Sequence, residues 1–326
     1  MRILVVGGAG YIGSIFSFLA QEAGFEVVVY DDLSTGHVWA VPSRNLIQGS
    51  ILDYELLVES LEDIDVVCHF AAKIVASDSV LNPAEYFKNN SAGTLNLLNA
   101  MTAARCDQLV FSSTAAVYGN PSSQQPITEN FAVKPINPYG ESKSAAERHI
   151  HHWASELGRC ATIFRYFNAA GALPERELGE FHQPETHLIP NLLNALLVPD
   201  QHVFHLFGSD YATHDGTCVR DYVHVRDIAI AHLRALEQQQ HGCRIFNLGH
   251  GRGYSNLEVL HACEKAVGRS LNYVVSERRP GDPARLITDN RKVKAELGWV
   301  PTYSELDTIV SDALTWHRDV LPLVVK

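Results

Sequence analysis

Short apolar runs alternate with longer amphipathic windows through the first half of this 326-residue chain. Runs that are apolar on both faces and separated by helices are typical of a parallel sheet covered on both sides. The runs predict strands at 2–6, 26–30, 45–49, 65–70, 108–113 and 162–167. The windows between them predict helices near 11–23, 53–62, 83–104 and 138–157.

After Asn168 this alternation breaks into a polar stretch at 174–187 and shorter elements. One later run, "RIFNLG" at 244–249, is strand-like and could return to the main sheet. We therefore predict an α/β fold, with a doubly wound parallel sheet in residues 1–167 and a return segment near 222–250. Residues 168–326 would mainly form a smaller, interleaved C-terminal domain.

A glycine-rich loop follows the first predicted strand. In "VVGGAGYIG", Gly7, Gly10 and Gly13 have G-x-x-G-x-x-G spacing and lead into a helix. Such glycines let backbone N–H groups approach a pyrophosphate at the helix N-terminus, as in Rossmann-like domains. Asp31 ends the second strand, where a carboxylate accepts hydrogen bonds from a ribose and repels a 2′-phosphate, so NAD is favoured over NADP. Its neighbour Asp32 is expected to be a solvated loop residue.

The stretch "NPYGESKSAAER" predicts the start of a helix. Asn137 can cap backbone N–H groups, Pro138 suits the first helical position, and Gly158 suits the end. The apolar stripe of this helix, extended backwards, includes Lys143 and Tyr139. A nearby ammonium would lower the pKa of the tyrosine from about 10 and make it a general base. The alternative is a packed ring and a lysine that reaches solvent.

A polar "SST" falls at the predicted carboxyl end of the strand in "VFSSTAAVYG". Ligands bind at this edge of open α/β sheets. The hydroxyl of Thr114 could bond a substrate oxygen and relay a proton to Tyr139. By itself, a Ser/Thr cluster at a strand end is more often a turn device.

The charge distribution narrows the possible partners. The net charge is −11, without a run of five like charges, which argues against nucleic acid or an anionic membrane surface as a partner. No apolar stretch approaches the roughly 18 residues of a membrane span, and glycines interrupt the N-terminal apolar run too early for a signal peptide. Six scattered cysteines without a C-x-x-C predict reduced thiols in a cytoplasmic protein.

Histidine is abundant, with sixteen residues, but its pattern does not predict a metal centre. The densest group, "HIHH" at 149–152, cannot place three ligands on one face of a helix. We therefore expect no catalytic metal.

The glycine loop, the strand-end Ser/Thr and Tyr-x-x-x-Lys, in that order, resemble the extended short-chain dehydrogenase/reductase family. More narrowly, the sequence looks like the UDP-glucose 4-epimerases from residue 2 to about 300. The segments that carry this resemblance are "VVGGAGYIGS", "HFAA", "SDSVLNPAEYFKNN", "FSSTAAVYG", "NPYGESK", "RYFN", "DGTCVRDYVHV" and "RRPGDPARL". The resemblance implies NAD-dependent 4-epimerisation of a UDP-hexose through a transient 4-keto intermediate.

The resemblance also implies site residues. Those for the cofactor are Gly7, Gly10, Tyr11, Ile12, Gly13, Asp31, Ser50, Ile51, Phe70, Ala71, Lys73, Asn89, Tyr139, Lys143 and Phe167. Those for the UDP-sugar are Thr114, Asn168, His187, Leu188, Phe207, Arg220, Arg279, Asp282 and Leu286. Tyr139 would take the C4 hydroxyl proton, Lys143 would hold the nicotinamide ribose, and Thr114 would assist. A homodimer through helices near 83–104 and 138–157 is implied as well.

Three positions depart from the family pattern. Ser50 stands where the family usually has Asp, Lys73 is displaced by one position, and His187 replaces an Asn. The first two are expected to weaken cofactor retention. None of the three touches the proton-transfer chemistry.

Several alternatives remain open. Sugar-nucleotide dehydratases place an Asp-Glu pair after the strand-end Thr, whereas this chain has Ala115 and Ala116, which argues against elimination. Epimerases of UDP-uronic acids are neither shown nor excluded. Leu286 is smaller than the aromatic residue that disfavours a 2-acetamido group, so UDP-N-acetyl sugars could also enter. A non-catalytic NAD-binding protein would not need both Tyr139 and Lys143.

Overall fold

A computed structural model describes residues 1–42, 45–121, 125–198, 203–279 and 282–325. Its strands are β1 (Arg2–Val6), β2 (Glu26–Asp31), β3 (Leu46–Gln48), β4 (Val66–His69), β5 (Gln108–Thr114), β6 (Cys160–Tyr166), β7 (Asn168–Ala170), β8 (Ala172–Leu173), β9 (Leu178–Gly179), β10 (Phe204–Phe207), β11 (Val219–His224), β12 (Gly242–Leu248), β13 (Gly253–Ser255), β14 (Tyr273–Ser276) and β15 (Arg285–Leu286).

The α-helices are α1 (Tyr11–Glu22), α2 (Tyr54–Ser60), α3 (Ala76–Leu81), α4 (Pro83–Tyr86), α5 (Gly93–Ala104), α6 (Pro138–Glu156), α7 (Leu188–Leu197), α8 (Val225–Glu237), α9 (Asn256–Val267), α10 (Arg291–Leu297), α11 (Leu306–Thr315) and α12 (Leu321–Val324). Shorter 3₁₀ turns lie at Val38–Ala40, Ala115–Tyr118 and Pro174–Arg176, and π-helical turns at Phe87–Ala92 and Trp316–Val320.

The main sheet of the described chain has seven parallel strands in the order β12-β6-β5-β4-β1-β2-β3. Phe16 of α1 and Ile228 of α8 belong to the core on one face. Leu97 of α5 and Ile150 of α6 belong to the core on the other face. This arrangement confirms the predicted fold class. The strand order reverses between β1 and β4, which opens a ligand crevice at the carboxyl ends of the strands.

The second half of the chain forms a separate core and also contributes to the main sheet. There, β11 pairs in parallel with β7 and β15 and antiparallel with β13. Leu193 of α7, Leu260 of α9 and Ile309 of α11 pack in this second core. From the same half, β12 returns to pair with β6, and α8 covers the main sheet.

The predicted helix at 83–104 is present without a gap as α4, the π-helical turn Phe87–Ala92 and α5, with helical backbone angles at both junctions. A π turn widens the helix locally and is frequent at functional sites. Here it includes buried Asn90, which accepts a hydrogen bond from the Lys73 backbone N–H at 2.8 Å and donates to Ser142 Oγ at 3.0 Å. Asn90 therefore ties the loop after β4 to α6.

Two further observations concern the chain as a whole. All six cysteines are unpaired, and five of them are buried. Across the part of the chain that the structure describes, the helices are too short or too polar to cross a bilayer.

Candidate active site

The glycine loop between β1 and α1 is packed so tightly that side chains are excluded at two positions. Gly7 has φ +84°, and a Cβ on it would lie 2.3 Å from the Ala71 nitrogen. A Cβ on Gly13 would lie 2.2 Å from the Gly7 carbonyl oxygen. At Gly10, by contrast, the nearest atom to such a Cβ is 3.6 Å away. The loop is thus closed towards the sheet and leaves room at Gly10, beside the N-terminus of α1, where an anion is favoured.

Asp31 lies at the end of β2 and holds the same loop. Its Oδ2 accepts a hydrogen bond from the Ala9 N–H at 2.9 Å, and its Oδ1 accepts one from the Leu33 N–H at 2.8 Å. Burial raises the pKa of Asp31, although these two bonds oppose the rise. Each carboxylate oxygen keeps a further lone pair for a ligand hydroxyl. Exposed Asp32 only accepts a bond from the Ser34 N–H, as expected of a loop residue.

The other proposed cofactor residues line the same edge of the sheet or lie near it. The Tyr11 hydroxyl is turned away to donate to the Gly171 carbonyl at 2.6 Å, and Ile12 packs against the core beside it. Buried Ile51 packs on Gly93, and Ser50 Oγ accepts from the Leu52 N–H at 3.3 Å.

At the end of β4, the Phe70 ring lies 5.3 Å from that of Phe16, and the Ala71 N–H bonds the Val6 carbonyl. The side chain of Lys73 is exposed. Asn89 donates to the Asn90 side chain at 3.1 Å.

The catalytic candidates lie at the start of α6, as the cap signals predict. Asn137 Oδ1 accepts from the Gly140 N–H at 2.9 Å, and Pro138 is the first helical residue. The Tyr139 hydroxyl is close enough to the Thr114 side chain, at the end of β5, for that side chain to lower the Tyr139 pKa. Lys143 is only 2% exposed, so it lies on the buried face of the helix and does not reach solvent.

The electrostatics of this pair differ from the sequence-based expectation. Burial raises the pKa of Tyr139, and the Thr114 side chain only partly opposes the rise. Burial also lowers the pKa of Lys143 to about 7, against the opposing charge of Glu147. A lysine that carries only part of its charge near neutral pH gives the phenol little help. The predicted lowering of the tyrosine pKa by lysine is therefore wrong for the protein's own groups.

A buried ion pair, missed by sequence reasoning, supports the helix one turn beyond Lys143. The Arg165 guanidinium donates two bonds to Glu147, at 3.0 and 2.6 Å, and Ser113 Oγ donates a third at 2.5 Å. Arg165 also donates to the Tyr118 hydroxyl at 2.9 Å. Two sequence signals were available: an Arg within an apolar strand, and a Tyr-Lys-Glu ladder at i, i+4 and i+8.

The proposed sugar-nucleotide residues are grouped around β11. Arg220 donates to Asp282 at 2.6 Å, and Leu286 is the direct neighbour of Arg220 across the β11–β15 pair. Asn168 donates to the Asp221 carbonyl at 3.2 Å. The Arg279 guanidinium lies 4.3 Å from the centre of the Phe207 ring.

Leu286 links this group to the catalytic candidates. It packs against a small apolar cluster that includes Phe167 and Ala115, and Ala115 directly follows Thr114 in the chain. The structure therefore brings Thr114, Tyr139, Phe167, Leu286 and Arg220 along one continuous path of contacts.

His187 and Leu188 occupy a different neighbourhood. Leu188 is the first residue of α7, and His187 is its N-cap position. The His187 ring contacts Glu180 at 2.7 Å and Glu185 at 3.2 Å. The His187 side chain therefore contacts residues of its own loop.

Comparison with known proteins extends these observations. Residues 3–249 match the model of the NAD dependent epimerase/dehydratase family. The chain is 45% identical to the UDP-glucose 4-epimerase of Lacticaseibacillus casei over 98% of this chain and 97% of the relative.

Two solved structures are also similar. UDP-glucose 4-epimerase from Brucella ovis, crystallised with NAD, superposes with TM-score 0.92 and 44% identity, covering 96% of this chain and 97% of that one. The enzyme from Bifidobacterium longum, crystallised with NAD+ and UDP, gives TM-score 0.90 and 33% identity, covering 97% and 98%.

Proposed function

The chain belongs to the NAD dependent epimerase/dehydratase family and, within it, to the UDP-glucose 4-epimerases, and we propose that it interconverts UDP-glucose and UDP-galactose through a transient 4-keto sugar. The observation that carries this proposal is the placement of Thr114 close to Tyr139, one helical turn from buried Lys143. It lies at the carboxyl edge of the main sheet, where a dinucleotide binds in such folds.

The residues present fit NAD as the cofactor. The open face of the loop at Gly10, at the N-terminus of α1, suits a pyrophosphate, and Asp31 retains acceptor capacity for a ribose. When bound, oxidised NAD supplies a hydride acceptor and positive charge beside the phenol. Since the chain's own groups raise the pKa of Tyr139, this charge is needed for Tyr139 to act as a base at neutral pH.

The chain's residues divide the remaining work between them. Tyr139 takes the proton from the sugar's C4 hydroxyl and later returns it, while Thr114 keeps the phenol oxygen oriented. Arg220, held by Asp282, and Arg279 suit the diphosphate, because guanidinium groups bind phosphate oxygens with two hydrogen bonds. Apolar Phe167 and Leu286 would allow the 4-keto sugar to turn without breaking fixed polar contacts.

Elimination of water is the competing outcome of the same oxidation. It needs an acid and a base close to the reacting carbons. The residues after Thr114 are Ala115 and Ala116, and Ala115 is buried in the small apolar cluster. This supports epimerisation over dehydration.

The proposal is tested by incubating the purified protein with UDP-galactose, first without and then with added NAD+, and assaying UDP-glucose. We expect UDP-glucose to form and Tyr139→Phe to lose at least about 10³-fold in kcat, because the base is removed. Tyr54→Phe, a change in an exposed tyrosine, is the matched control. A 4-keto-6-deoxy product would favour the dehydratase, and no product with NAD+ present would favour a non-catalytic protein.

A broader substrate range is a second candidate function, favoured by Leu286. This side chain is the neighbour of Arg220 and packs towards Phe167, so it walls the region between diphosphate and reacting centre. We propose that UDP-N-acetylglucosamine is also epimerised, and that Leu286→Tyr reduces kcat/KM for this substrate at least about tenfold while sparing UDP-glucose. Failure of the parent protein to turn over UDP-N-acetylglucosamine would refute this extension.

A homodimer is proposed through the surfaces of α5 and α6. Leu95 of α5 is 41% exposed, and Phe87, in the π-helical turn before α5, is 38% exposed. Phe87 borders an open groove along α6 that Arg148 and His151 also line. Light scattering should give twice the chain mass, and Leu95→Glu should lower it. A monomer mass for the parent protein would refute the dimer.

We also retain three proposals from the sequence. Residues 1–167 and 168–326 form the two domains, interleaved through β12 and α8. The location is cytoplasmic, which fits five buried unpaired thiols, and cell fractionation tests it. No nucleic acid is bound, which fits the net charge of −11.

A further inference from the structure

Four side chains converge in the loop between β9 and α7. They are Glu180, His182, Glu185 and His187, and we refer to them as the His–Glu cluster. One ligating atom from each, two imidazole nitrogens and two carboxylate oxygens, lies within 4.8 Å of all the others. The chain positions have the spacing E-x-H-x-x-E-x-H, a signal that sequence reasoning overlooked when it considered only "HIHH".

The four side chains are close enough together to surround one metal ion. His187 Nδ1 lies 2.7 Å from Glu180 Oε1 and 3.2 Å from Glu185 Oε1. His182 Nδ1 lies 3.3 Å from Glu180 Oε1 and 3.7 Å from the other carboxylate oxygen of Glu185, Oε2. Zinc bonds of about 2.0–2.2 Å give tetrahedral edges of about 3.3–3.6 Å, so the His187–Glu180 pair would open when an ion enters.

The cluster's neighbours hold the carboxylates in place. Glu185 Oε1 accepts hydrogen bonds from the N–H groups of Thr186 at 2.7 Å and His187 at 2.8 Å. Glu180 is 4% exposed, and its carbonyl accepts a bond from the Trp316 indole at 2.8 Å. Such supporting contacts orient metal ligands in advance.

One ligating atom is left without a good hydrogen bond. His182 Nδ1 is buried, and no described residue gives it a hydrogen bond of acceptable geometry, although two carboxylates lie nearby. A lone pair on this nitrogen would face the centre of the cluster. This is the arrangement expected of a ligand and not of an optimised ion pair.

The charges balance with either two protons or one divalent cation. Two protonated imidazoles would neutralise the two carboxylates. A divalent ion with two neutral imidazoles gives the same net charge of zero, so it can replace the two protons.

We propose that the His–Glu cluster is a structural binding site for a divalent transition-metal ion, with Zn²⁺ as the preferred occupant. Two nitrogens and two oxygens suit zinc, whereas Mg²⁺ requires six oxygens at octahedral positions. The ion would fix the segment that leads into α7. It is distinct from the reacting centre at Tyr139 and takes no part in hydride or proton transfer.

The test is a metal titration that does not use turnover. Protein treated with EDTA and dialysed free of it is titrated with Zn²⁺ against a chromophoric chelator, and with Co²⁺ while the visible spectrum is recorded. We expect one Zn²⁺ per chain and the intense absorption of four-coordinate Co²⁺. His182→Gln should weaken Zn²⁺ binding at least about 100-fold, as the loss of one of four ligands implies.

Two further variants make the result unambiguous. Glu185→Gln, which nearly preserves shape, should also abolish the Co²⁺ absorption, and circular dichroism without metal verifies that each variant is folded. His261→Gln changes an exposed histidine that contacts only Glu264 among the described carboxylates, and it should bind Zn²⁺ like the parent protein. The proposal is overturned if the parent binds no stoichiometric Zn²⁺, if Co²⁺ gives the weak spectrum of a six-coordinate ion, or if His182→Gln binds as tightly as the parent.

Discussion

Two clusters of buried charge in this molecule have opposite chemical characters. Beneath α6, the Glu147 carboxylate meets the Arg165 guanidinium in a bidentate pair, with both side chains less than a tenth exposed. In the His–Glu cluster, the carboxylates of Glu180 and Glu185 meet imidazole rings instead. An arginine cannot lose its proton in a protein and cannot ligate a metal, whereas a histidine does both readily.

The comparison teaches that the identity of the cation decides what a buried carboxylate can do. The Arg165 guanidinium, which is permanently charged, holds the Glu147 carboxylate in place. Glu147 in turn acts electrostatically on Lys143, one helical turn away. In the His–Glu cluster, either protons on the imidazole rings or a bound metal ion can balance the carboxylate charges. The first cluster is therefore suited to positioning and the second to ligand binding.

The largest expected change in stability comes from breaking the Glu147–Arg165 ion pair. Glu147→Leu leaves the Arg165 charge buried without its partner and should lower the free energy of unfolding by about 3–5 kcal/mol. Denaturant unfolding of the purified protein measures this. The double variant Glu147→Leu/Arg165→Met should recover most of the loss, because no charge remains unpaired. Equal stability of the single and double variants would contradict the proposed role of the permanent charge.

Replacing Lys143, which lies one helical turn from the Glu147–Arg165 pair, should stabilise the fold. The pKa of buried Lys143 falls from 10.5 to about 7, so the unfolded chain binds the extra proton between these values and stability rises with pH there. At about 1.4 kcal/mol per pKa unit, Lys143→Met should gain about 4 kcal/mol near pH 7, with the gain shrinking towards pH 10. Unfolding curves at several pH values measure it, and activity should be lost. A gain that is independent of pH would exclude this explanation.

Replacing Glu147 with the neutral residue Gln, which has nearly the same shape, tests whether the Glu147 charge acts on Lys143. Glu147→Gln removes the charge that opposes the lowering of the Lys143 pKa, so that pKa should fall further. We expect the alkaline limb of the kcat profile to move down by about one pH unit, with kcat about tenfold lower above that limb. Glu141→Gln, on the exposed first turn of α6, is the control. A uniform loss of kcat at all pH values would indicate a purely structural role.

The smallest effect on stability is expected for the His–Glu cluster in the absence of metal. With EDTA present, His182→Gln should lower the free energy of unfolding at pH 7 by less than Glu147→Leu does, since His187 still contacts both carboxylates. The pKa of His182 is raised to about 9, so its contribution is complete below about 6.5 and is lost as pH rises through about 9. Parent and variant should therefore converge in alkaline solution. A difference that grows with pH would contradict the charge assignment.

Much of the fold was readable from the chain because its signals are local. Alternating apolar runs predicted the strands of the main sheet, and the Asn137 and Pro138 signals placed the start of α6 correctly. The predicted helix at 83–104 is confirmed in its bounds, but the sequence did not indicate its π turn, where Asn90 makes contacts with Lys73 and Ser142. Those partners are 17 and 52 residues away in the sequence.

The proposed site was only partly readable. The spacing of Tyr139 and Lys143 predicted a shared face, and Lys143 is indeed buried. The direction of the Tyr139 pKa shift was predicted wrongly, because it depends on how much surrounding structure displaces water from the phenol. Spacing along a helix reports which side chains are neighbours, but it does not report the solvation around them.

What the sequence alone determined is therefore the periodicity, the turns and the helix caps, since hydrophobic pattern and backbone conformation act over a few residues. What the tertiary structure decided is which charged groups lie next to each other: Glu147 with Arg165, and Glu180 with His187. Burial and electrostatic interaction depend on distances through space, and only the folded chain sets those distances.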